Sequence, residues 1–317
     1  MDSYAGRVAV VTGGGSGMGR ELVRRLAAEG CSVATCDIDG PSIAVTASEA
    51  PSGARVTAHV CDVSDEGQVL AFRDEVTDRH ATDHLDLVFN NAGVGGGGSF
   101  VADSRAEWER TFAIDWWGVY YCTRAFLPLL IASDEGVLVN TSSVNGFWAS
   151  LGPGMPNTAY CTAKFAVKGF TEALIEDLRV HAPHVHVAVV MPGHIGTNIV
   201  TNSWRLHGKE PAALSTAEVA AARAELLRRG VPVAEATDDA VRQVLEAAGT
   251  LFREQAPLDA AGAAAVILEG VRAGRWRILV GDDAVWLDEQ VRARPENAYD
   301  PGSGLIDTIL PRTADTP

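Results

Sequence analysis

The sequence predicts an α/β chain: a doubly wound parallel sheet of about seven strands with helices on both faces. Three observations carry this. Short β-branched runs alternate with segments of helical period, a glycine-rich turn joins the first run to the first helical segment, and the alternation resumes after one long interruption. Parallel strands need crossover connections, and helices in that role cover both sheet faces.

The elements follow in order. Arg7–Thr12 (RVAVVT) reads as a buried strand, and Gly17–Glu29 as a helix with Leu22, Val23, Leu26 and Ala27 on one face. Gly30 closes that helix. Cys31–Cys36 is the second strand, with Asp37 at its end, and Pro41–Ala50 is helical. Arg55–Val60 is a third strand, Ser64–His80 a helix capped by Ser64, and Leu85–Phe89 a fourth strand. Ser104–Ile131 is a long helical region with a bend expected near Gly118 or Pro128. Gly136–Thr141 is a strand, Ala159–His181 a long helix, Val185–Val190 a strand, Ala260–Ala273 a helix and Trp276–Val280 the last strand.

Residues Asn198–Asp259 break the rhythm. They are helical in composition with no strand signal, and read as an insertion over the carboxyl ends of the strands, where open α/β sheets bind ligands. The 317 residues otherwise form one large domain, with a loosely ordered tail expected over 301–317.

Composition narrows the function. Lysine and arginine number 26 against 41 aspartates and glutamates, a net charge of −15, which opposes binding to phosphate-rich nucleic acid. The longest apolar stretch, Ala260–Leu268, falls far short of the ~18–20 residues that span a bilayer, and the opening MDSYAGR has no apolar signal region. Cys31, Cys36, Cys61, Cys122 and Cys161 contain no CxxC pair and fit free thiols in a reducing compartment, so a cytoplasmic location is expected. No His, Asp or Glu grouping has metal-ligand spacing, and no metal is expected.

Thr12–Gly19 (TGGGSGMG) joins the first strand to the first helix, with glycines at 13, 17 and 19. Such glycines let the backbone approach a pyrophosphate, and the helix N-terminus offers free N–H groups. A flexible loop is the plain alternative. Asp37 adds independent support, because it ends the second strand close to the spacing of about 20 residues expected of a ribose-binding carboxylate. It would repel a 2′-phosphate. Ile38 follows it, Ser16 brings no cation to the loop, and together they favour NAD over NADP. A solvated turn carboxylate is the alternative for Asp37.

Tyr160 and Lys164 are four residues apart in a helical segment, hence on one face. A free phenol ionises near ~10, and a neighbouring ammonium favours the phenolate. The pair therefore suits proton transfer, although the spacing also occurs on plain surface helices. Ser143 ends the strand GVLVNTSS at a carboxyl end, where its hydroxyl could hold a substrate oxygen; Ser142 beside it suits a hydrogen bond within the turn.

At this point the chain resembles the short-chain dehydrogenase/reductase family of classical type. The motifs TGGGSGMG, Cys61–Val63 (CDV), Asn90–Gly93 (NNAG), Asn140–Gly146 (NTSSVNG), Tyr160–Lys164 (YCTAK) and Pro192–Thr197 (PGHIGT) occur in the family's order, from about Arg7 to Thr197. The resemblance implies a Rossmann-like fold and a nicotinamide cofactor. It implies that Tyr160 is the general acid/base, that Lys164 lowers its pKa and binds the nicotinamide ribose, and that Ser143 orients the substrate. The implied cofactor contacts begin with Gly13, Ser16, Gly17, Met18, Gly19, Asp37 and Ile38. Asp62 and Val63 would touch adenine, and Asn90, Ala92 and Gly93 would border the cofactor. Pro192, Gly193, Ile195 and Thr197 would lie by the carboxamide.

Two departures stand out. The family carries an Asn in the long central helix that holds a relay water beside the lysine, and Asp115 takes that place here. Asp115 can accept hydrogen bonds there, but it adds charge near Lys164. The segment FWASLGPGMPNT lengthens the gap between Ser143 and Tyr160, putting Phe147, Trp148 and Met155 either at an apolar substrate wall or in core or subunit packing. The run Gly95–Gly98 reads as a mobile loop, and His194 as a cofactor-facing or backbone-bonded side chain.

The expected function is NAD-dependent interconversion of a secondary alcohol and a ketone, on a hydrophobic small-molecule substrate, with the insertion suggesting a covered, sizeable, largely apolar pocket. The alternatives are an NADPH-dependent ketone or 3-oxoacyl reductase, a non-catalytic NAD-binding regulator, and an isomerase or dehydratase on the same scaffold. The resemblance implies a homotetramer or homodimer built through the two long helices.

Overall fold

A computed structural model describes residues 1–152, 155–300 and 305. In chain order it contains β1 (Val8–Thr12), α1 (Gly17–Ala28), β2 (Ser32–Asp37), α2 (Gly40–Ser48), β3 (Val56–Val60), α3 (Glu66–His80) and β4 (Leu87–Asn90). Next come α4 (Arg105–Phe112), a π turn (Ala113–Trp117), α5 (Gly118–Ile131), β5 (Gly136–Thr141), α6 (Thr158–His181) and β6 (Val185–Pro192). The chain continues through β7 (Ile195–Gly196), α7 (Ile199–Leu206), α8 (Thr216–Arg228), α9 (Asp238–Glu254), β8 (Leu258–Asp259), α10 (Ala260–Arg272), β9 (Arg277–Val280) and α11 (Asp282–Ala293).

All seven strands of the main sheet run parallel in the order β3-β2-β1-β4-β5-β6-β9. The order reverses between β1 and β4, and ligands bind outside the strand ends at such a switch point. Alternate strand residues feed two cores. Ala9, Val11, Phe89 and Val139 pack with Leu22 and Leu26 of α1 and Ile267 and Val271 of α10. Val10, Val88 and Leu138 pack with Phe72 of α3, Phe126 and Leu130 of α5, and Leu174 and Leu178 of α6. Both faces are therefore covered, and the architecture is the Rossmann-like one.

Several boundaries differ from the sequence expectations. Asp65 caps α3, accepting the Gln68 N–H, while Ser64 instead donates to Asp62. Ser104 does cap α4, but the long helix is interrupted over Ala113–Trp117 by wider winding that ends on Gly118. Pro128 sits inside α5. The 198–259 segment ends in β8, which pairs with β7 in a second, two-stranded sheet. Its helices α8 and α9 share a small core of Val219, Leu226, Val233 and Val241. Helix α11 was not anticipated. Most of the expected 301–317 tail lies outside the described residues; Leu305 is buried in a cluster with Trp148, Ala284 and Leu287. Among the described residues no helix is long and apolar enough to cross a membrane.

Candidate active site

The turn from β1 into α1 is built for close approach. Gly13 has φ +69°, and a Cβ there would lie 2.8 Å from Ala92 Cα. A side chain on Gly19 would overlap the Gly13 carbonyl. These two positions let the glycine turn press against the β4 end without a side chain between them. Ser16 caps α1 but its side chain takes none of the first-turn N–H groups, which leaves them for an anion. Instead Ser16 Oγ accepts from Asn202 Nδ2 at 3.1 Å. Thr197 packs over Gly17. Met18 turns its side chain into the core below. Thr12 contributes a link that sequence reasoning missed: its Oγ1 accepts the N–H groups of Asn91 at 3.0 Å and Ala92 at 3.1 Å. It pins the two strand ends on either side of the switch point, and only the tertiary fold brings them together.

Asp37 lies against this loop. Its Oδ2 accepts the Gly15 N–H at 2.9 Å and its Oδ1 the Asp39 N–H at 3.0 Å. Burial raises its pKa, and those N–H bonds pull against the rise. Ile38 beside it is half exposed. Asp62 is engaged with Ser64 and, through Oδ2 at 3.1 Å, with Arg110. The Val63 side chain is buried against Gly118. Asn90, expected to border the cofactor, uses its side chain to hold the sheet. Its Nδ2 donates inward to Thr123 at 3.0 Å and Asn140 at 2.8 Å, tying β4 to α5 and β5. Asn140 extends the chain to Thr171 of α6.

Ser143, Tyr160 and Lys164 converge at the end of β5. Ser143 follows the strand close enough to the Tyr160 phenol to favour its ionised form, while its Oγ accepts the Asn145 N–H at 3.1 Å. Lys164 Nζ lies 5.3 Å from the centre of the Tyr160 ring and donates to the Thr141 carbonyl at 3.2 Å. Ser142 bonds across to α6 rather than within its turn, donating to the Lys164 carbonyl at 2.7 Å. A Cβ on Gly146 would overlap Ser142 Oγ, so a glycine there lets α6 settle against the β5 end. Burial pushes the Tyr160 phenol up; Lys164 opposes this, Asp115 adds to it, and Ser143 opposes it, with the net direction upward. The lysine acts in the expected direction but does not by itself prevail.

The π turn delivers Asp115 to Lys164. Their Oδ1 and Nζ are 2.9 Å apart and both side chains are sealed from solvent. Oδ1 also accepts the Val94 N–H at 3.3 Å. Burial opposes the Lys164 charge, but Asp115 and Tyr160 outweigh it and its pKa is raised. Where the family carries an amide, Asp115 makes a direct ion pair with the lysine, the added charge the sequence led one to expect.

The expected substrate wall divides. Trp148 is 1% exposed, its Nε1 donates to the Ala298 carbonyl at 2.8 Å, and it packs with Leu287 and Leu305. Phe147 packs on the same cluster beneath Arg277. Trp148 is thereby a packing residue, whereas Phe147 is only partly buried, between this cluster and Arg277 of β9. Met155 is partly buried in the segment leading to α6. The Gly95–Gly98 run is tied on three sides: Gly95 N–H to Ser203 at 2.7 Å, Gly97 N–H to Glu107 at 3.4 Å, and the Gly98 carbonyl to Thr158 N–H at 2.8 Å. His194 is bonded to backbone, its Nε2 2.6 Å from the Phe252 carbonyl. Ile195 is buried in the strand pair with Leu258, and Gly193 N–H donates to Val280. Asn202, Ser203 and His207 of the α7 segment reach the site and were missed, since nothing local marks them.

A family model described as short chain dehydrogenase matches residues 7–206. SadH of Mycobacterium tuberculosis, which is named as an oxidoreductase, is 40% identical over 211 residues, covering 66% of this chain and 74% of its own. Meso-2,3-butanediol dehydrogenase of Serratia marcescens is 35% identical over 202 residues, covering 63% and 76%. Among solved structures, a short-chain dehydrogenase/reductase from Burkholderia phymatum in complex with NAD superimposes with TM-score 0.75 at 28% identity, over 95% of this chain and 99% of that one. A metagenomic short-chain oxidoreductase in complex with NADP gives TM-score 0.54 at 32% identity, over 60% and 83%. The ordered motifs, the strand order and these matches agree, and the chain belongs to the classical short-chain dehydrogenase/reductase family of oxidoreductases.

Proposed function

We propose that the protein is an NAD-dependent dehydrogenase that interconverts a secondary alcohol and a ketone. The observation that carries the reaction is the meeting of Ser143, Tyr160 and Lys164 at the carboxyl end of β5, beside the β1–α1 glycine turn. Solved relatives hold NAD in one case and NADP in another, which supports a nicotinamide dinucleotide here. The residues fit that group. The uncapped start of α1 and the side-chain-free approach at Gly13 and Gly19 suit a pyrophosphate, and Asp37 offers a carboxylate for a ribose diol.

When bound, the dinucleotide would supply the hydride acceptor. Ser143 and Tyr160 hold the substrate hydroxyl. Tyr160 takes its proton in oxidation and returns it in reduction. Lys164 steadies the phenolate and the nicotinamide ribose. Gly13, Ser16, Gly17, Met18 and Gly19 offer backbone to the phosphates, Asp62 and Val63 border the adenine, and Thr197 with Ile195 the carboxamide side. The Asn198–Asp259 insertion covers the strand ends, and its contacts from Asn202 to Ser16 and from Ser203 to Gly95 support a lid over the site. Asp37, whose carboxylate would repel a 2′-phosphate, supports NAD over NADP. A titration with NAD+ and NADP+, followed by a screen of secondary alcohols by NADH absorbance, tests this. Tighter NADP+ binding, or no turnover across the panel, overturns it.

The outward faces of α5 and α6 support a homo-oligomer. Trp117 and Phe165 are each about two-fifths exposed, and Trp116, Trp117, Tyr120, Tyr121 and Phe170 form one cluster of touching rings. Exposed aromatic patches of this kind mark association surfaces. Light scattering on the purified protein reads the subunit number, and a monomer overturns this assignment.

A further inference from the structure

Resting on the proposed nicotinamide chemistry, we propose that Asp115 sets which redox form of the cofactor the site prefers. By cancelling the charge of Lys164 it favours the cationic oxidised ring over the neutral reduced one. The pair lies 2.9 Å apart, the aspartate fully buried and the lysine 3% exposed. Water cannot screen either charge. Oδ1 receives two donors, the ammonium and the Val94 N–H. Oδ2 is buried with no partner among the described residues, so a proton placed on it would have no acceptor. Burial raises the Asp115 pKa, the ammonium and the Val94 N–H pull against the rise, and two donors on Oδ1 are the contacts an ionised carboxylate makes.

The pair also stands at the right place. A Cβ on Gly93 would lie 2.6 Å from Asp115 Oδ1 and 3.1 Å from Lys164 Nζ, so the NNAG turn at the switch point rests directly on it. Tyr160 is one helical turn from Lys164 on α6. From the other side, the titratable group nearest is His207, whose Nε2 is held by the Gly95 carbonyl at 3.1 Å and Thr111 at 3.3 Å. The two charges that the turn rests on directly, one lysine and one aspartate, are adjacent and opposite in sign. With an amide at position 115, the lysine would stand alone in a low-dielectric pocket and oppose a second positive charge. The reduced ring, being neutral, would not feel that change.

The test is calorimetric titration of wild type and Asp115→Asn with NAD+, NADH and ADP-ribose. ADP-ribose lacks the ring and reports an intact fold and adenosine site. The expected result is about a tenfold loss of NAD+ affinity in the variant, with NADH and ADP-ribose moving less than twofold, as fits removal of one partly screened buried charge. An unchanged ratio of NAD+ to NADH affinity overturns the inference and leaves the proposed function standing. Wild type that binds none of the three overturns the proposed function itself. Should Asp115→Asn fail to hold ADP-ribose, wild type alone decides: it must bind NAD+ at least as tightly as NADH, and a tenfold preference for NADH overturns the inference.

Discussion

The carboxylate of Asp37 and the N–H of Gly15 meet at 2.9 Å, joining the end of β2 to the middle of the glycine turn. One side chain thereby shapes the glycine turn and fixes where its own carboxylate lies beside it.

Asp37→Ala should weaken NAD+ binding by about 10- to 100-fold, the ~1.5–3 kcal/mol associated with a charged hydrogen bond, and narrow the preference over NADP+. Dissociation constants for both dinucleotides measure this. An unchanged ratio contradicts the role given to Asp37.

Tyr160→Phe should lower kcat by roughly 10²–10⁴-fold, the usual range for loss of a general acid/base, while NAD+ binding stays within a few-fold of wild type. The ring is carried by α6 with Lys164 Nζ 5.3 Å from its centre, so it keeps its seat without the hydroxyl. Substantial residual turnover contradicts its assignment.

Trp148→Ala separates packing from substrate binding. The side chain is 1% exposed and bonded to Ala298. Its loss should cost about 3–5 kcal/mol in urea unfolding, as for other large core truncations. KM for any substrate the wild type accepts should hardly move. A raised KM at unchanged stability would return Trp148 to the pocket.

Acid sensitivity should come in part from His80. Burial and the neighbouring Arg55, His59 and Arg79 lower its pKa to about 4. Its ring shares Thr57 with His59, at 2.8 and 2.9 Å. The unfolded chain takes up the proton near pH 6.5, the folded protein only near 4. The stabilisation is therefore complete above 6.5 and is lost as pH falls from 6.5 towards 4. Urea unfolding at pH 7 and pH 4.5 reads the loss. His80→Gln should show a smaller difference between the two pH values than wild type.

The main sheet was legible because each strand is a short buried run bounded by turn residues, and buried parallel strands need little else. Asp37, Ser143, Tyr160 and Lys164 were legible because each sits at a strand end or at helical spacing. The misses have a common cause in distance along the chain. Trp148 finds its partner 150 residues away. Thr12 acts on Asn91 and Ala92, and Ser203 on Gly95. The β8 strand has two residues, too few to show a period, and exists only because Ile195–Gly196 lies alongside. Asn90 lies in a motif that matches the family, yet its side chain is taken by Thr123 and Asn140.

The wide turn at Ala113–Trp117 separates two jobs that an unbroken helix would confuse. A π turn carries one more residue than an α turn, so its removal would rotate everything on one side by about 100° relative to the other. Deleting a single residue there would swing Asp115 off Lys164, or slide the aromatic face of α5 out of line with that of α6. The Asp115–Lys164 pair and the aromatic face of α5 are thus geared together through one loosened coil, and a change in its length would be felt at both ends.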